Sequence, residues 1–371
     1  MKKIIFITGT RADYGKLETL ALEALKDNNN VHFFVTGMHL IERYGLTTIE
    51  VARNKAFSRR EFHNQNEGDS QDRILSNTII GFSEYVKQVK PDLVVIHGDR
   101  VEALAASLVC SINYIRSVHI EGGEISGTID EVYRHCNTKL CSAHFVSSEE
   151  AKNRVIRLGE TPNSVFVLGS PELDTHGKPT GINLKKVREW YEIPWDEFGV
   201  AIFHPVTSEL SDIKIQAEKF FQSLQDSKKN FVTIAPNNDP GSDYIFKTIG
   251  NLPKNRFRLI PSMRFLYFSE LLRHTKVIVG NSSAGVREAP YLGLPSLDIG
   301  TRQNKRNQSP SIYTATAYEP DKIEAFLNNE WGNRYTPDTS LGVGNASKNF
   351  RNILNGHELW ELPLQKLFFD Q

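Results

Sequence analysis

A chain of 371 residues, 39% hydrophobic and 24% charged, has the composition of a folded globular protein with room for two domains, and excludes a disordered chain. Its 44 Lys and Arg balance 44 Asp and Glu, so no overall basic field exists for nucleic acid or an anionic membrane, and an anionic ligand has to be met by local charge. The three cysteines, Cys110, Cys136 and Cys141, are odd in number and form no C-x-x-C pair, which reads as reduced thiols in a cytoplasmic protein.

The opening Met1-Lys2-Lys3-Ile4-Ile5-Phe6-Ile7 imitates a signal peptide, but the apolar run is short and Arg11 and Asp13 follow at once, so a buried first strand is expected. No run approaches the roughly 18 apolar residues of a membrane span. Short β-branched runs at 3–8, 32–36, 92–97, 117–120, 144–147 and 164–168 predict strands, and helical patterns lie between them, as at 16–25 and 73–89. This alternation predicts βαβ units and a parallel sheet. The continuous apolar run Leu93-Val94-Val95-Ile96 suits a strand buried on both faces. Residues 171–198 carry Gly177, Pro179, Gly181 and Pro194 around one helical pattern at 184–191, and read as a linker. Further strands are expected at 200–203, 231–235, 258–260, 276–279 and 296–299. The fold class expected is therefore α/β, with two doubly wound domains at 1–170 and 199–344 facing a cleft. Helical patterns at 345–354 and 362–369 suggest that 345–371 crosses back to the first domain.

Ligands of open α/β sheets bind outside the carboxyl ends of the strands, and the unusual residues of this chain gather there. After the strand ending at 279 comes Gly280-Asn281-Ser282-Ser283-Ala284-Gly285-Val286-Arg287-Glu288. A helix opening at Ser282 would offer free N–H groups and two hydroxyls to an anion, with Glu288 one and a half turns on, placed for a ribose diol; alternatively Ser282 is an N-cap and Glu288 a solvated residue. The first loop, from Gly9 to Gly15, contains Arg11, a guanidinium fork for phosphate, but neither a P-loop nor a clean G-x-G-x-x-G. Two His-x-carboxylate pairs, His97/Asp99 and His119/Glu121, end neighbouring strands. Alternate strand residues face one side, so each pair could bind zinc or manganese, or hold carboxylates as acid and base above packed histidines. Asp130, beyond a glycine-rich turn, could join them, and crowded carboxylates separate an acid from a base; capping a helix is the alternative for Asp99 and Asp130. His204 could bind a diphosphate or move a proton, or be structural.

These motifs occur in one order over about residues 1–310. They are Thr8-Gly9-Thr10-Arg11-Ala12-Asp13-Tyr14-Gly15, Thr36-Gly37-Met38-His39, His97-Gly98-Asp99-Arg100, the run from His119-Ile120-Glu121-Gly122-Gly123-Glu124 through Ser126-Gly127-Thr128 to Asp130, Arg134-His135, His204-Pro205-Val206-Thr207, the 280–288 segment and Gly300-Thr301-Arg302-Gln303. Together they resemble the hydrolysing UDP-N-acetylglucosamine 2-epimerases that make N-acetylmannosamine for sialic acid. The resemblance implies two Rossmann-like domains of the glycosyltransferase-B type, no metal and no cofactor, UDP-N-acetylglucosamine and UDP as ligands, and a homodimer or dimer of dimers. It implies catalytic roles for Asp99, Glu121, Asp130 and His204. It implies phosphate contacts at Ser282 and Ser283, a ribose contact at Glu288, diphosphate contacts at Arg11 and His204, and a nucleotide pocket lined by Asn237, Ser262 and Phe265, with Ala12, Gly15 and Arg100 also at the substrate. Arg302 lies in a shared motif but receives no role. Glu121-Gly122-Gly123-Glu124 with Ser126-Gly127 resembles the hydrolysing branch, and Ser126-Gly127-Thr128 leans towards acetylglucosamine over the diacetamido-trideoxy sugars of legionaminic acid synthesis. A glycosyltransferase of the same fold, a metallohydrolase and a non-enzymatic nucleotide-sugar sensor are the rival readings.

Overall fold

The computed structural model describes residues 1–370. The chain divides into two compact units: Met1–Glu124, Asp130–Gly177 and the chain from Ser340 onward form the first, and Ile125–Ile129 with Lys178–Thr339 form the second.

The first unit is a seven-stranded parallel sheet of β1 (Lys3–Thr8), β2 (Asn30–Val35), β3 (Ser58–Glu61), β4 (Leu93–His97), β5 (Ser117–Ile120), β6 (Ala143–Val146) and β7 (Val165–Val167), in the order β3-β2-β1-β4-β5-β6-β7. The period-two pattern of β1 explains why both faces are covered: Ile4 and Phe6 enter one apolar cluster, Ile5 and Ile7 the other. Winding reverses between β1 and β4, which opens a crevice at their carboxyl ends. The second unit repeats this plan with six parallel strands, β8 (Gly199–Ile202), β9 (Phe231–Ile234), β10 (Phe257–Ile260), β11 (Ile278–Gly280), β12 (Ser296–Ile299) and β13 (Ile312–Ala315), ordered β10-β9-β8-β11-β12-β13. Here the reversal falls between β8 and β11. The two doubly wound α/β halves expected from the β-then-α rhythm are present.

Two strands lacked a signal. β3, Ser-Arg-Arg-Glu, is wholly exposed at a sheet edge, where charged side chains discourage further pairing, so it has no apolar alternation to read. β13 is the opposite case of an edge strand, with only Ala315 buried. The first helix also begins earlier than its apolar periodicity. Thr10 accepts from the Asp13 N–H at 3.1 Å and starts the helix Arg11–Leu25, so Ala12 and Gly15 are helical residues rather than loop residues.

The stretch 171–198 is folded rather than a plain linker. The helix Pro171–His176 is buried throughout and belongs to the first unit, while the helix Leu184–Tyr191 belongs to the second. Asp174 supplies the reason the chain returns to the first unit after residue 340. Its two carboxylate oxygens accept the Ala346 and Ser347 N–H groups at 2.7 Å each, capping the helix Ala346–Asn355. Gly342, at φ 122°, brings the backbone against Gly169, and the Ser170 N–H reaches Leu341 O at 2.7 Å. Phe350 then packs on Phe6 and Phe145, and Arg351 forks onto Asp27 at 2.8 and 2.5 Å.

Residues 362–369 are not helical, contrary to their apolar pattern: Leu364, Leu367 and Phe368 stay exposed, so no apolar face is buried to stabilise a short helix. The segment instead runs over the first unit and delivers Lys366 to the end of the helix Ile129–Leu140. Its ammonium donates to the carbonyls of Thr138, Lys139 and Cys141 at 2.9, 3.0 and 2.7 Å, where a helix leaves carbonyls unpaired and favours positive charge. It also meets Glu160 at 2.6 Å, whose carboxylate binds Lys139 and His144 as well. Burial pushes Glu160 up, but His144, Lys366 and Lys139 outweigh it and hold the pKa at about 2. Its contribution to stability is therefore complete above the ordinary carboxyl range and is lost as pH falls towards 2. Among the described residues, no helix is long and apolar enough to cross a membrane. Lys366→Ala is expected to lower stability by about 2 kcal/mol, the scale of a charged hydrogen-bonded group, in urea unfolding at neutral pH; a change under about 0.5 kcal/mol would show that the tail contributes little.

Candidate active site

In the first unit, the crevice between β1 and β4 collects ionised side chains. Asp13 and Lys16 come from the helix after β1, His97 ends β4, Glu121 follows β5, and Glu172 comes from the buried helix Pro171–His176. Lys16 Nζ lies 2.7 Å from Glu121 Oε1 and 3.8 Å from Glu172 Oε1. His97 Nε2 lies 3.2 Å from Glu121 Oε1, and Nδ1 3.4 Å from Asp13 Oδ1. The side chains of His97 and Glu121 are only 5% and 4% exposed, so these charges are neutralised by one another. Burial disfavours the charged ring of His97, but the charge of Glu121 and the close approach of the Asp13 and Glu121 carboxylates outweigh burial and Lys16, and raise its pKa to about 9. Burial likewise pushes Asp13 up, while hydrogen bonding and charge from His97, with Arg100, hold it below the usual range.

Strand alternation does not aim these groups. β4 and β5 end at His97 and Ile120, and Gly98 (φ 74°) and Glu121 (φ 69°) turn the chain into the left-handed region. For a glutamate that conformation costs roughly 1–2 kcal/mol, and it places Glu121 beside His97 rather than above His119. The turn is fixed next door by Gly123 (φ 77°), where a Cβ would lie 2.2 Å from Ala151 O.

His119 is a support. Its Nε2 donates to Gly98 O at 2.8 Å, joined there by Asn137 at 3.0 Å, and its Nδ1 accepts from the Thr138 hydroxyl at 3.1 Å. Burial lowers its pKa to about 3, so the ring is neutral and holds the turn between His97 and Asp99. Asp99 pairs with Arg134, whose side chain is fully buried. Burial works against that guanidinium, but Asp99, Glu124 and Glu121 together keep it firmly charged. Arg134 also donates to Glu124 O at 3.0 Å, and Glu124 accepts from Ser147 at 2.7 Å. Asp130 stands in the first turn of the same helix, one turn before Arg134 and on its face. Arg11 pairs with Glu50 at 3.5 Å, and Arg100 with Glu102 at 3.3 Å. Among the described residues, no three His, Cys, Asp or Glu side chains gather as a metal set.

In the second unit, the crevice between β8 and β11 is tied by Asn281. Its carboxamide accepts the His204 N–H at 2.6 Å and donates to His204 O at 2.8 Å. The Asn237 N–H donates to His204 Nδ1 at 3.1 Å, so a neutral ring carries its proton on Nε2. Arg302 and Gln303 both donate to Asn281 O, at 3.2 and 3.0 Å; this gives Arg302 the structural task that its motif left open. Its own carbonyl accepts the Gly127 N–H at 3.1 Å, and a Cβ on Gly127 would lie 2.0 Å from Thr301 O. Ser282 caps a helix of only four residues, Ser283–Val286, and Glu288 opens a second short helix, Glu288–Tyr291. The expected single helix is broken because Pro290 has no N–H for Val286 O, which accepts the Asn307 carboxamide at 2.8 Å instead. Ser262 lies in the loop after β10, and Phe265 begins the helix Phe265–His274.

The structure thus pairs Asp99 with Arg134, within electrostatic reach of Glu121, and sets Asp130 one turn before Arg134 on the same helix, while His204 meets Asn237 in the other unit. Lys16, Asp13, Glu172 and the role of Arg134 had no signal strong enough to find them. Lys16 lies in what reads as an ordinary amphipathic helix, Asp13 in what reads as a glycine-bounded loop, and Glu172 amid linker-like prolines and glycines. The one available clue was a lysine one residue beyond the Gly9–Gly15 motif, at a buried helical position.

The family model described as UDP-N-acetylglucosamine 2-epimerase matches residues 23–355. A UDP-N-acetylglucosamine 2-epimerase of Neisseria meningitidis serogroup B is 39% identical over 100% of this chain and 99% of its own length. A UDP-N,N'-diacetylbacillosamine 2-epimerase (hydrolyzing) of Legionella pneumophila is 33% identical over 84% of each chain. The crystal structure of the Methanocaldococcus jannaschii UDP-GlcNAc 2-epimerase, in complex with UDP-GlcNAc and UDP, superposes with a TM-score of 0.80 at 20% identity, covering 95% of this chain and 99% of that one. The fold is shared with such glycosyltransferase-B-like enzymes.

Arg134→Met removes one partner of a buried pair and is expected to cost about 3 kcal/mol or more. Adding Asp99→Asn should recover a substantial part of that loss in the double-mutant cycle. Additive losses in chemical unfolding would show that the two side chains are not energetically coupled.

Proposed function

The chain belongs to the UDP-N-acetylglucosamine 2-epimerase family, and from that premise we propose that it is a hydrolysing enzyme of sialic acid synthesis, converting UDP-N-acetylglucosamine and water to N-acetylmannosamine and UDP. The observation that carries the reading is the buried contact of Glu121 with Lys16 and His97 at the ends of β1, β4 and β5, with Asp99 ion-paired to Arg134 and Asp130 one helical turn before that arginine. Identity over the whole length to a UDP-N-acetylglucosamine 2-epimerase supports the substrate, and the hydrolyzing relative supports the outcome.

In this reading a carboxylate takes the sugar C2 proton, the C–H electrons form the C1=C2 bond, and the C1–O bond breaks with its electrons leaving on UDP. The anti elimination yields 2-acetamidoglucal. Water then adds, hydroxyl to C1 and a proton to C2 on the opposite face. Glu121 and Asp130 serve the elimination, and Asp99 serves proton transfer in hydration; coupled carboxylates can exchange these roles. The leaving diphosphate is stabilised by donors fixed in advance: Arg11, the Nε2–H of His204, and Ser282 with Ser283. Glu288 takes the ribose, Asn237, Ser262 and Phe265 the nucleotide, and Ala12 and Arg100 further substrate contacts.

A proton NMR time course with UDP-N-acetylglucosamine in D₂O, without any acceptor, is expected to show N-acetylmannosamine deuterated at C2 together with UDP. UDP-N-acetylmannosamine as product would mean a non-hydrolysing epimerase, and turnover only with a UDP-diacetamido-trideoxy sugar would move the substrate. Glu121→Gln should lower kcat by about 100- to 10,000-fold while UDP binding, followed by calorimetry, is retained.

A further inference from the structure

We propose that His97 is a positioning residue: a doubly protonated imidazolium, bridging Asp13 and Glu121, that sets the orientation and charge of Glu121 for the reaction. The proposal rests on the reading of Glu121 as an acid–base group. Its basis is geometric. Both ring nitrogens lie within ion-pair distance of a carboxylate oxygen, Nδ1 at 3.4 Å from Asp13 and Nε2 at 3.2 Å from Glu121, although neither is aligned as a hydrogen bond. A buried ring flanked by two carboxylates is stabilised as the cation, which answers both charges. The ring is 5% exposed, so solvent does not relieve a mismatch.

The charges around it come from three elements. The helix Arg11–Leu25 contributes Asp13 and Lys16, the turn after β5 contributes Glu121, and Arg100 stands at the start of the helix Val101–Ile112. His119, on β5, is held neutral by burial. Lys16 opposes a charge on His97, but the two carboxylates touching the ring prevail. The ring cannot easily turn away. His97 is followed by the left-handed Gly98, whose carbonyl is gripped by His119 and Asn137. On the other side Glu121 holds a backbone conformation unfavourable to a glutamate, and Lys16 and His97 share its Oε1. Together these contacts leave one orientation for the carboxylate. His97 acts through Glu121 and is assigned no contact with substrate.

The sign of the pH dependence follows. A ring whose pKa is raised to about 9 keeps its bridge below that pH and loses it above, so turnover is expected to fall as pH rises through about 9. The direct test is ¹⁵N NMR of the full-length enzyme with labelled histidine. One imidazole, assigned to His97 by its loss in His97→Gln, should have both nitrogens protonated at pH 7 and titrate near 9. A neutral tautomer at pH 7 overturns the proposal. The functional test is Asp13→Asn, which removes one of the two carboxylates. The alkaline limb of kcat should move down by about one pH unit or more, with the acid limb and the KM for UDP-N-acetylglucosamine little changed. A uniform fall in kcat with the limb unmoved marks a merely structural histidine and also overturns it. Titration near 9 in a chain that does not turn over UDP-N-acetylglucosamine rejects the assigned reaction, and with it the positioning role, while leaving the ion pair intact. If Asp13→Asn does not fold, the NMR titration of the unaltered enzyme still decides the matter.

Discussion

A carboxylate that is almost entirely buried must be met by positive charge, and the first unit is organised around that requirement at Glu121. Taking an ion out of water costs several kcal/mol even after relaxation, so Lys16 and His97 are conditions for the ionised state rather than additions to it. Each of these needs its own support. Lys16 has Glu172, from the helix that also carries Asp174, the anchor of the returning C-terminal chain. His97 has Asp13, which the Thr10 cap holds in place. The first turn of the first helix, the ends of β4 and β5 and the helix Pro171–His176 are thereby committed to one carboxylate. The strain at Glu121 is tolerated because this shell over-determines its position.

The second unit is tied through a carboxamide instead. Asn281 spans from β11 to the loop after β8 and fixes the His204 backbone in both directions. Arg302 and Gln303 hold Asn281 in turn. The break at Pro290 belongs to the same construction. It divides the segment 283–291 into two short helices, with Asn307 satisfying the carbonyl that a continuous helix would have used. One unit thus gathers paired charges at its crevice, and the other gathers oriented N–H groups and hydroxyls. In the proposed reaction the first unit does the acid–base work and the second holds the anion.

Much of this was legible in the chain. The strands buried on both faces declare themselves through continuous apolar runs such as Leu93-Val94-Val95-Ile96, because a parallel sheet with helices on both sides has no polar face. Edge strands β3 and β13 did not, since exposure removes the pattern. The polar clusters at the strand ends, with their carboxylates, were conspicuous in the chain. Their geometry was not. Period-two reasoning stops where φ turns positive, as at Gly98 and Glu121, and no spacing rule announces that change for a glutamate. Lys16 and Glu172 were hidden for a related reason: partners 105 residues apart for Lys16 and Glu121 are joined only by topology. The tail failed differently. Its apolar residues suggested a helix, but Leu364, Leu367 and Phe368 find no core to enter, and Lys366 is held on the carbonyls of Thr138, Lys139 and Cys141 instead.

The central claim is that the acidic groups of the first unit, with Glu121 held between Lys16 and His97, are the ones that meet the reacting sugar carbon. A crystal structure of the Glu121→Gln variant with UDP-N-acetylglucosamine tests this most directly. The account predicts that the sugar C2 lies within about 3.5 Å of residue 121 or a neighbouring carboxylate, Asp99 or Asp130, the separation of a near-attack geometry. A well-ordered sugar seated away from all three would contradict it.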